Sequence, residues 1–408
     1  MVLFILPWLV FSALSAPLQL NQQFHFSLNT ILSNATRADV RPGMVVASPS
    51  REKPNYYFDW VRDTALTMRS LVDYYEVRRD PRVRKLLLTW IDSEAHRQNQ
   101  PAPTGLGEPK YNIDGTAFTG PWGRPQNDGP ALRAVAMIKW ARILMAEGQG
   151  TLVRRKLYQA ILPANTVIKK DLEYTAHHWR ETSFDLWEEE KGMHFYTLLA
   201  QHTALQEGAK LAREFNDARA ADFYENNARL IGHYILTNFM HPRVGILVTT
   251  QKDASLGYKN SGLDVAPLLA LIHNWPYQQL LPLTHDQVKI YLRALVQDGH
   301  QNYAINRAFP HLGVALGRYP EDRYDGYGTD GTGNPWFLST LALGEFHCLQ
   351  RQDKVKAEKQ IERALFHSHN GHISEQFNRR TGYMQGAQDL TWSHNAILTA
   401  TLRCGFLR

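Results

Sequence analysis

The chain has 408 residues, 44% hydrophobic and 21% charged, which supplies apolar material for a large core and excludes a disordered chain. Its net charge of +6 raises a nucleic-acid or anionic-membrane partner first. No nucleic-acid-binding motif accompanies the densest basic run, Arg78, Arg79, Arg82, Arg84 and Lys85, and Asp80 with Pro81 interrupts it between amphipathic stretches, so it reads as a solvated helix junction.

The segment from Val2 to Leu14 is apolar and precedes the small residues Ser15 and Ala16, while the first charged residue is Arg37. This pattern predicts a signal peptide over 1–15, with cleavage after Ser15 because Pro17 disfavours a cut after Ala16, and hence a secreted protein. An uncleaved anchor is the alternative, although no stable membrane insertion of the mature chain is expected. Asn34, Ala35 and Thr36 form a glycosylation sequon, usable only in a eukaryotic secretory pathway. Further along, helical periodicity dominates: Leu66 to Tyr75, Leu87 to His96, a segment opened by Pro130 and carrying Leu132, Val135, Ile138 and Trp140, then Phe195 to Phe215, Ala218 to Phe239, Val288 to Val296, Trp336 to Leu349 and Leu390 to Leu402. Extended alternating runs are scarce, so the chain is predicted to be all-α.

Loops rich in aromatic, Gly and acidic residues recur around Trp60, Trp122, Trp187, Tyr258, Tyr324 and Tyr383, about 65 residues apart, which suggests a repeated helix-loop-helix unit. Six such units would close a ring and bring loops of one type to one end, where aromatic and acidic groups suit a carbohydrate. No Pro/Ser-rich linker detaches a second domain. The expectation is therefore one catalytic domain over 16–408 with no added binding module, acting as a monomer. Cys348 and Cys404 are the only cysteines, so a disulfide scaffold is excluded; one bridge and two buried thiols are both open.

The densest acidic constellation is Phe184-Asp185-Leu186-Trp187-Glu188-Glu189-Glu190. Burial beside Trp187 and the like charge of Glu189 would each favour a protonated Glu188, as a general acid requires. Ser374-Glu375-Gln376-Phe377, ahead of Asp389-Leu390-Thr391-Trp392, offers a second carboxylate. Two other signals are set aside. Gly326, Gly328 and Gly331 satisfy G-x-G-x-x-G without a preceding strand, and His367, His369 and His372 lack zinc spacing and read as loop histidines.

These segments, with YYFDWVRD at Tyr56 to Asp63, GLGEPKYN at Gly105 to Asn112, WGRPQNDGPALR at Trp122 to Arg133, GRYPED at Gly317 to Asp322, GNPWF at Gly333 to Phe337 and DLTWS at Asp389 to Ser393, resemble the glycoside hydrolase family 15 glucoamylases in family order. The resemblance implies an (α/α)6 toroid of helical hairpins with the active site at one end. It further implies an inverting, exo-acting enzyme that releases β-glucose from the non-reducing ends of α-1,4-glucans, with slower α-1,6 cleavage and no metal or cofactor. Glu188 would be the general acid and Glu375 the general base. Arg62 and Asp63 would hold the terminal glucose; the Leu186 carbonyl, Trp187, Glu189 and Arg318 would complete the first subsites; Tyr56, Trp122, Trp336 and Trp392 would form aromatic walls. Where some members carry a Ser able to bond the base, this chain has Gly386, which implies a base pKa less depressed. The region from Tyr324 to Gly333 is longer than in the shortest members and leaves the pocket rim open. Two readings compete with the starch-active one: a non-catalytic glucan-binding protein, against which both glutamates argue, and a relative acting on trehalose or dextran-like linkages.

Overall fold

A computed structural model describes residues 16–252, 259–351 and 353–406; the predicted leader over 1–15 and the loop marker Tyr258 lie outside them. Among the described residues are twelve helices of eight residues or more: α1 (Ala16–Ala35), α2 (Val61–Arg78), α3 (Pro81–Arg97), α4 (Asp128–Ala146), α5 (Val167–His178), α6 (Phe195–Glu214), α7 (Ala218–Asn238), α8 (Ala266–His273), α9 (Asp286–Asn302), α10 (Phe337–Arg351), α11 (Lys354–His367) and α12 (Thr391–Arg403). The even-numbered helices form a closed ring, each packed on the next and α12 on α2. The odd-numbered helices lie outside it, with α1 on α12, α3 on α2, α5 between α4 and α6, α7 on α6 and α11 on α10, while α9 backs onto a small hairpin. This is the (α/α)6 toroid.

Residue choice explains which helices are inner. In α4, Leu132, Val135, Ala136, Ile138 and Trp140 are all buried, and so are Ala131, Ala134, Met137 and Ala141 on the other faces. A helix apolar all round has to be enclosed, whereas α3, α9 and α11 carry one apolar stripe and a solvated face. Four helices escaped the periodicity reading, α1, α5, α8 and α11; α8 is only eight residues long, too short to display a period. The junction at Asp80 and Pro81 is as expected: Arg79 ends α2 in the left-handed region, and the Asp80 carboxylate accepts a hydrogen bond from Arg82 N to cap α3. Its basic residues are locally paired, Arg79 and Arg84 with Glu147 and Arg82 with Asp80.

Nine short strands stiffen the loops: β1 (Asp59–Trp60), β2 (Lys110–Tyr111), β3 (Ser183–Phe184), β4 (Lys191–His194), β5 (Met240–His241), β6 (Gly245–Ile246), β7 (Thr249–Thr250), β8 (Gln376–Phe377) and β9 (Met384–Gln385). They pair antiparallel as β1-β2, β3-β4-β7, β5-β6 and β8-β9. Strand β1 runs directly into α2 and β4 into α6, so these ladders fix the chain where it enters the inner ring.

A buried ion network ties this entry zone to the helices. Arg133 on α4 donates both to Asp171 on α5, at 2.6 and 2.8 Å, and to Glu94 on α3, at 2.8 Å. Arg97 pairs with Glu94 and with Asp59 of β1, and the other Asp59 oxygen accepts from Val45 N at 2.8 Å. Removing one partner of a desolvated network of this kind costs about 3–5 kcal/mol, because a buried charge is left uncompensated. The network therefore holds Trp60, next to Asp59, in a fixed place.

Cys348 and Cys404 are disulfide-bonded and join the end of α12 to α10, which closes the choice left by the sequence. Asn34 is 2% exposed and its amide donates to Thr391 Oγ1 at 3.0 Å and to the Asp389 carbonyl at 3.3 Å. The sequon is thus folded into the α1–α12 contact and is closed to a glycan in the folded protein. His367 ends α11, bonds the Gly382 carbonyl and stacks on Phe377, while His372 pairs with Asp389. Among the described residues no group of three or more His, Cys, Asp or Glu side chains is placed to hold a metal ion, and no described helix is long and apolar enough to cross a membrane.

Candidate active site

Five of the six segments that lead into inner helices line one pocket. Tyr56, Trp60, Arg62 and Asp63 come from the entry to α2, Trp122 from the entry to α4, and Leu186, Trp187, Glu188 and Glu189 from the entry to α6. Arg318, Tyr324 and Trp336 come from the entry to α10, and Glu375, Leu390 and Trp392 from the entry to α12. The sixth segment, before α8, lies directly behind them through Lys259 and Asp264. The inner helices hence present their N-terminal ends, with their positive dipole ends, to the cavity, which encloses about 750 Å3. All twelve residues singled out from the sequence line it. Ala47, Trp60, Tyr324 and Leu390 also line it and were not singled out, although Trp60 lies inside the YYFDWVRD match and Tyr324 marks a loop.

Glu188 sits at the apex of a tight turn with φ +67°, a left-handed conformation that non-glycine residues rarely adopt. The turn is held by Asp185, whose carbonyl accepts from Glu188 N at 2.9 Å and whose carboxylate oxygen Oδ1 accepts from Glu189 N at 2.7 Å and Glu190 N at 3.0 Å. Glu188 Oε1 accepts from the Trp60 indole at 2.8 Å and from Gln126 Nε2 at 3.0 Å, and Gln126 is in turn gripped by the Arg62 guanidinium. Among the described residues no hydrogen bond reaches Oε2. The surroundings differ from those expected of this carboxyl. Trp187 turns its indole N–H to Asp264, and Glu189 is taken up by Arg318 at 2.9 Å and by the Tyr319 hydroxyl at 2.6 Å. Glu189 is neutralised and does not act as a bare like charge.

Glu375 is 1% exposed. Its Oε1 accepts from the Tyr56 hydroxyl at 2.9 Å, and the Tyr324 hydroxyl lies 3.0 Å from that of Tyr56. Among the described residues Oε2 is buried without a hydrogen-bond partner. Burial pushes the carboxyl up to about 7, against the lowering pull of Tyr56, Arg318 and Tyr324. Gly386 explains the unpartnered oxygen: it has φ +75°, and a Cβ there would come within 2.4 Å of Oε2. A side chain at 386 would meet the carboxylate itself, so glycine gives Glu375 room and offers it no donor.

Two buried lysines flank the Glu188 turn. Lys259, 1% exposed, donates to Asp185 Oδ2 at 2.7 Å and lies 3.6 Å from both Glu189 and Asp264. One ammonium thereby sits against the carboxylate that shapes the turn, the one that holds Trp187 and the one that meets Arg318. Lys110 lies over the faces of Trp122, Phe58, Phe118 and Trp60 at 3.5 to 4.6 Å from the ring centroids. Burial lowers it to about 8, opposed by the charge of Glu188. It fixes the two tryptophans that border Glu188. Sequence reading missed both lysines; Lys110 alone falls within a quoted match, GLGEPKYN.

Two carboxyl groups carried on separate loops into one aromatic-lined pocket at the mouth of a helical toroid define a glycoside hydrolase. The profile of the glycosyl hydrolases family 15 matches residues 23–362 and 353–402, and the chain belongs to that family. It is 33% identical to a probable glucoamylase of Schizosaccharomyces pombe over 92% of this chain and 88% of that protein. It is 32% identical to an intracellular, sporulation-specific glucoamylase of Saccharomyces cerevisiae, over 93% and 83%. Its structure superimposes on the glucoamylase of Saccharomycopsis fibuligera with a TM-score of 0.85 at 28% identity, covering 96% of both chains.

Two predictions follow from the electrostatics. Lys259→Met should lower turnover by at least tenfold and Lys259→Arg by much less, because only the arginine restores the charge between Asp185 and Asp264. Equal losses in both, or a lowered melting temperature with turnover intact, would show that Lys259 only stabilises the fold. Second, if Glu375 has to be ionised to react, kcat/KM should fall tenfold per pH unit below about 7, the value to which burial raises it. Tyr56→Phe removes a donor to the ionised form, so the acid limb should move to higher pH; an unchanged or lower limb would show that another group sets it.

Proposed function

We propose that the chain is a glucoamylase, an exo-acting hydrolase that releases glucose from the non-reducing ends of α-1,4-glucans, with Glu188 as general acid and Glu375 as general base. The observation that carries the assignment is the contrast between two carboxyls in one pocket. Glu188 is held through Oε1 by two neutral donors while, among the described residues, no bond reaches Oε2, so Oε2 is the atom that delivers a proton. Glu375 lines the same pocket with its Oε1 oriented by the Tyr56 hydroxyl, as the base that takes the proton of a water. Family membership and the glucoamylases named among the relatives support the substrate class.

End-on entry follows from the floor. Arg62, Asp63 and Trp392 lie in the first turns of α2 and α12, and Trp392 stacks on Trp187 with centroids 6.3 Å apart. A glucan can therefore insert only its terminus, its pyranose faces against Tyr56, Trp122 and Trp336. Arg62 is oriented by Gln126 and Asp128, and Asp63, raised to about 7 chiefly by burial, has no hydrogen-bond partner among the described residues and is open to sugar hydroxyls. With Leu186, Glu189 and Arg318 these residues form the first subsites.

In the proposed step, Glu188 Oε2 protonates the glycosidic oxygen as the C1–O bond breaks. Water attacks C1 from the opposite face and passes a proton to Glu375, giving β-glucose without a covalent intermediate. Such an inverting pair works with its carboxyl groups about 6.5–9.5 Å apart, leaving space for the water. Proton NMR of the first product should show β-glucose before mutarotation; α-glucose would overturn the roles. Glu188→Gln should lose about 10²–10⁴ in kcat while still binding maltooligosaccharides.

The finer reading of location is a secreted enzyme. The Cys348–Cys404 bond is of the kind formed in oxidising compartments, and the apolar segment before Ala16 supplies a leader, although one relative is named as intracellular. Mass spectrometry of protein recovered from culture medium should give a chain beginning at Ala16; recovery only from cells, with the leader retained, would refute this location.

A further inference from the structure

The segment from Ala387 to Trp392 joins the base to the floor of the pocket. Glu375 N donates to the Ala387 carbonyl at 2.9 Å, and just beyond it Leu390 and Trp392 line the cavity. Asp389 lies between these two anchorages, outside the cavity lining. Its backbone has φ +49°, a left-handed conformation that a residue with a side chain holds only where its surroundings compel it. This turn carries the chain from the β8–β9 hairpin into the first turn of α12.

What compels it is a pair of imidazoles. His372 Nδ1 bonds both Asp389 carboxylate oxygens, at 3.0 and 2.9 Å, and His394 Nε2 bonds Oδ1 at 3.2 Å. Burial would raise the Asp389 carboxyl, but the bonds from His394 and His372 outweigh it and hold the group below its usual range. An ionised carboxylate only accepts, so both imidazoles present an N–H to it. Behind them the bonds run on into α1. Burial keeps His394 neutral, so its Nδ1 accepts from the Ser27 hydroxyl at 3.0 Å. Gln23 Nε2 in turn donates to Ser27 Oγ at 3.1 Å and to the Gly371 carbonyl at 2.9 Å. Phe26 closes the cluster from outside, edge-on to His372 with ring centroids 5.0 Å apart. Ser27 is 0% exposed and out of reach of any substrate, so this chain of serine, histidine and aspartate does no chemistry of its own.

We propose that Asp389, clamped by His372 and His394, is a positioning residue that sets the distance between Glu375 and the floor against which the terminal glucose lies. The inference rests on the reading of Glu375 as the base. Both ends of the segment are fixed independently: Ala387 by Glu375 N, and Thr391 by the Val46 carbonyl, which accepts from its Oγ1 at 2.7 Å, and the Ala47 carbonyl, which accepts from its N at 2.8 Å. The left-handed residue between them is where the chain can change course, and the carboxylate clamp holds that course. Inversion needs a water placed between Glu375 and C1 of the sugar, and a misplacement of about 1 Å can cost about 10²-fold in rate. The sugar is gripped mainly from other segments, through Arg62, Asp63 and Trp122, so a slackened clamp shows in kcat before it shows in KM.

His372 gives the cleanest test, because its side chain is 42% exposed and its removal leaves the core closed. Measured well below the melting temperature, His372→Ala should lower kcat for maltose about fivefold or more, with KM within about twofold. His372→Asn, which offers an N–H near the place of Nδ1, should recover most of that loss. Asp389→Ala removes the centre of the clamp and should cost about twentyfold or more in kcat; where it fails to fold, the two His372 variants decide alone. Unchanged kcat in His372→Ala, equal losses in the Ala and Asn variants, or a raised KM with kcat retained would each overturn the proposal. Glu375→Gln, run alongside, tests the base itself. Full turnover there sinks the reading of the pocket, whereas unchanged kcat in His372→Ala sinks the clamp alone.

Discussion

The ammonium of Lys259, sealed among Asp185, Glu189 and Asp264, is the interaction on which the site depends. Three carboxylates this close cannot all be ionised in a buried setting without a compensating charge, and leaving any of them unpaired would cost several kcal/mol. With Lys259 in place, Asp185 accepts the two backbone amides that bend the chain, Asp264 holds the Trp187 indole, and Glu189 is free to meet Arg318. The left-handed backbone of Glu188 persists because contacts on both sides of it over-determine the turn. The catalytic geometry is in this sense electrostatic before it is steric.

Ring closure supplies the second constraint. Because the inner helices alternate with outer ones, every segment that enters an inner helix arrives at the same end of the toroid. Five of these segments then line one cavity, with Tyr56 and Glu375 meeting across 319 residues of sequence, and the sixth backs it through Lys259 and Asp264. The Arg97–Asp59 and Arg133–Asp171 network does for the α2 entry what Lys259 does for the α6 entry. Both place charge balance at the junction between helix and loop, where backbone groups are short of partners.

The two glutamates show how one residue type is given opposite surroundings. Glu188 faces neutral donors and the caged ammonium of Lys110, whereas Glu375 is enclosed, with the Tyr56 hydroxyl on one oxygen and the Gly386 backbone against the other. Gly386 leaves room for that oxygen and packs closely on Gly326, where neither position has space for a side chain.

Much of this was legible in the sequence. The helical period of segments such as Leu132 to Ile143 follows from local geometry, as do the aromatic and acidic loops spaced along the chain, and both survive folding unchanged. The contiguous words from YYFDWVRD to DLTWS pointed to the family and to the twelve pocket residues, because each loop carries its own side chains wherever it is placed. What the sequence left open was every choice of distant partner. It did not say that Glu189 would be claimed by Arg318, that Trp60 would hold Glu188, that Cys348 would bond Cys404, that Asn34 would be folded away beneath Thr391, or that Lys259 would matter at all. Local pattern depends on neighbours a few residues away, while ion pairing and burial depend on which surfaces the closed ring brings within a few ångströms, and only the tertiary structure decides that.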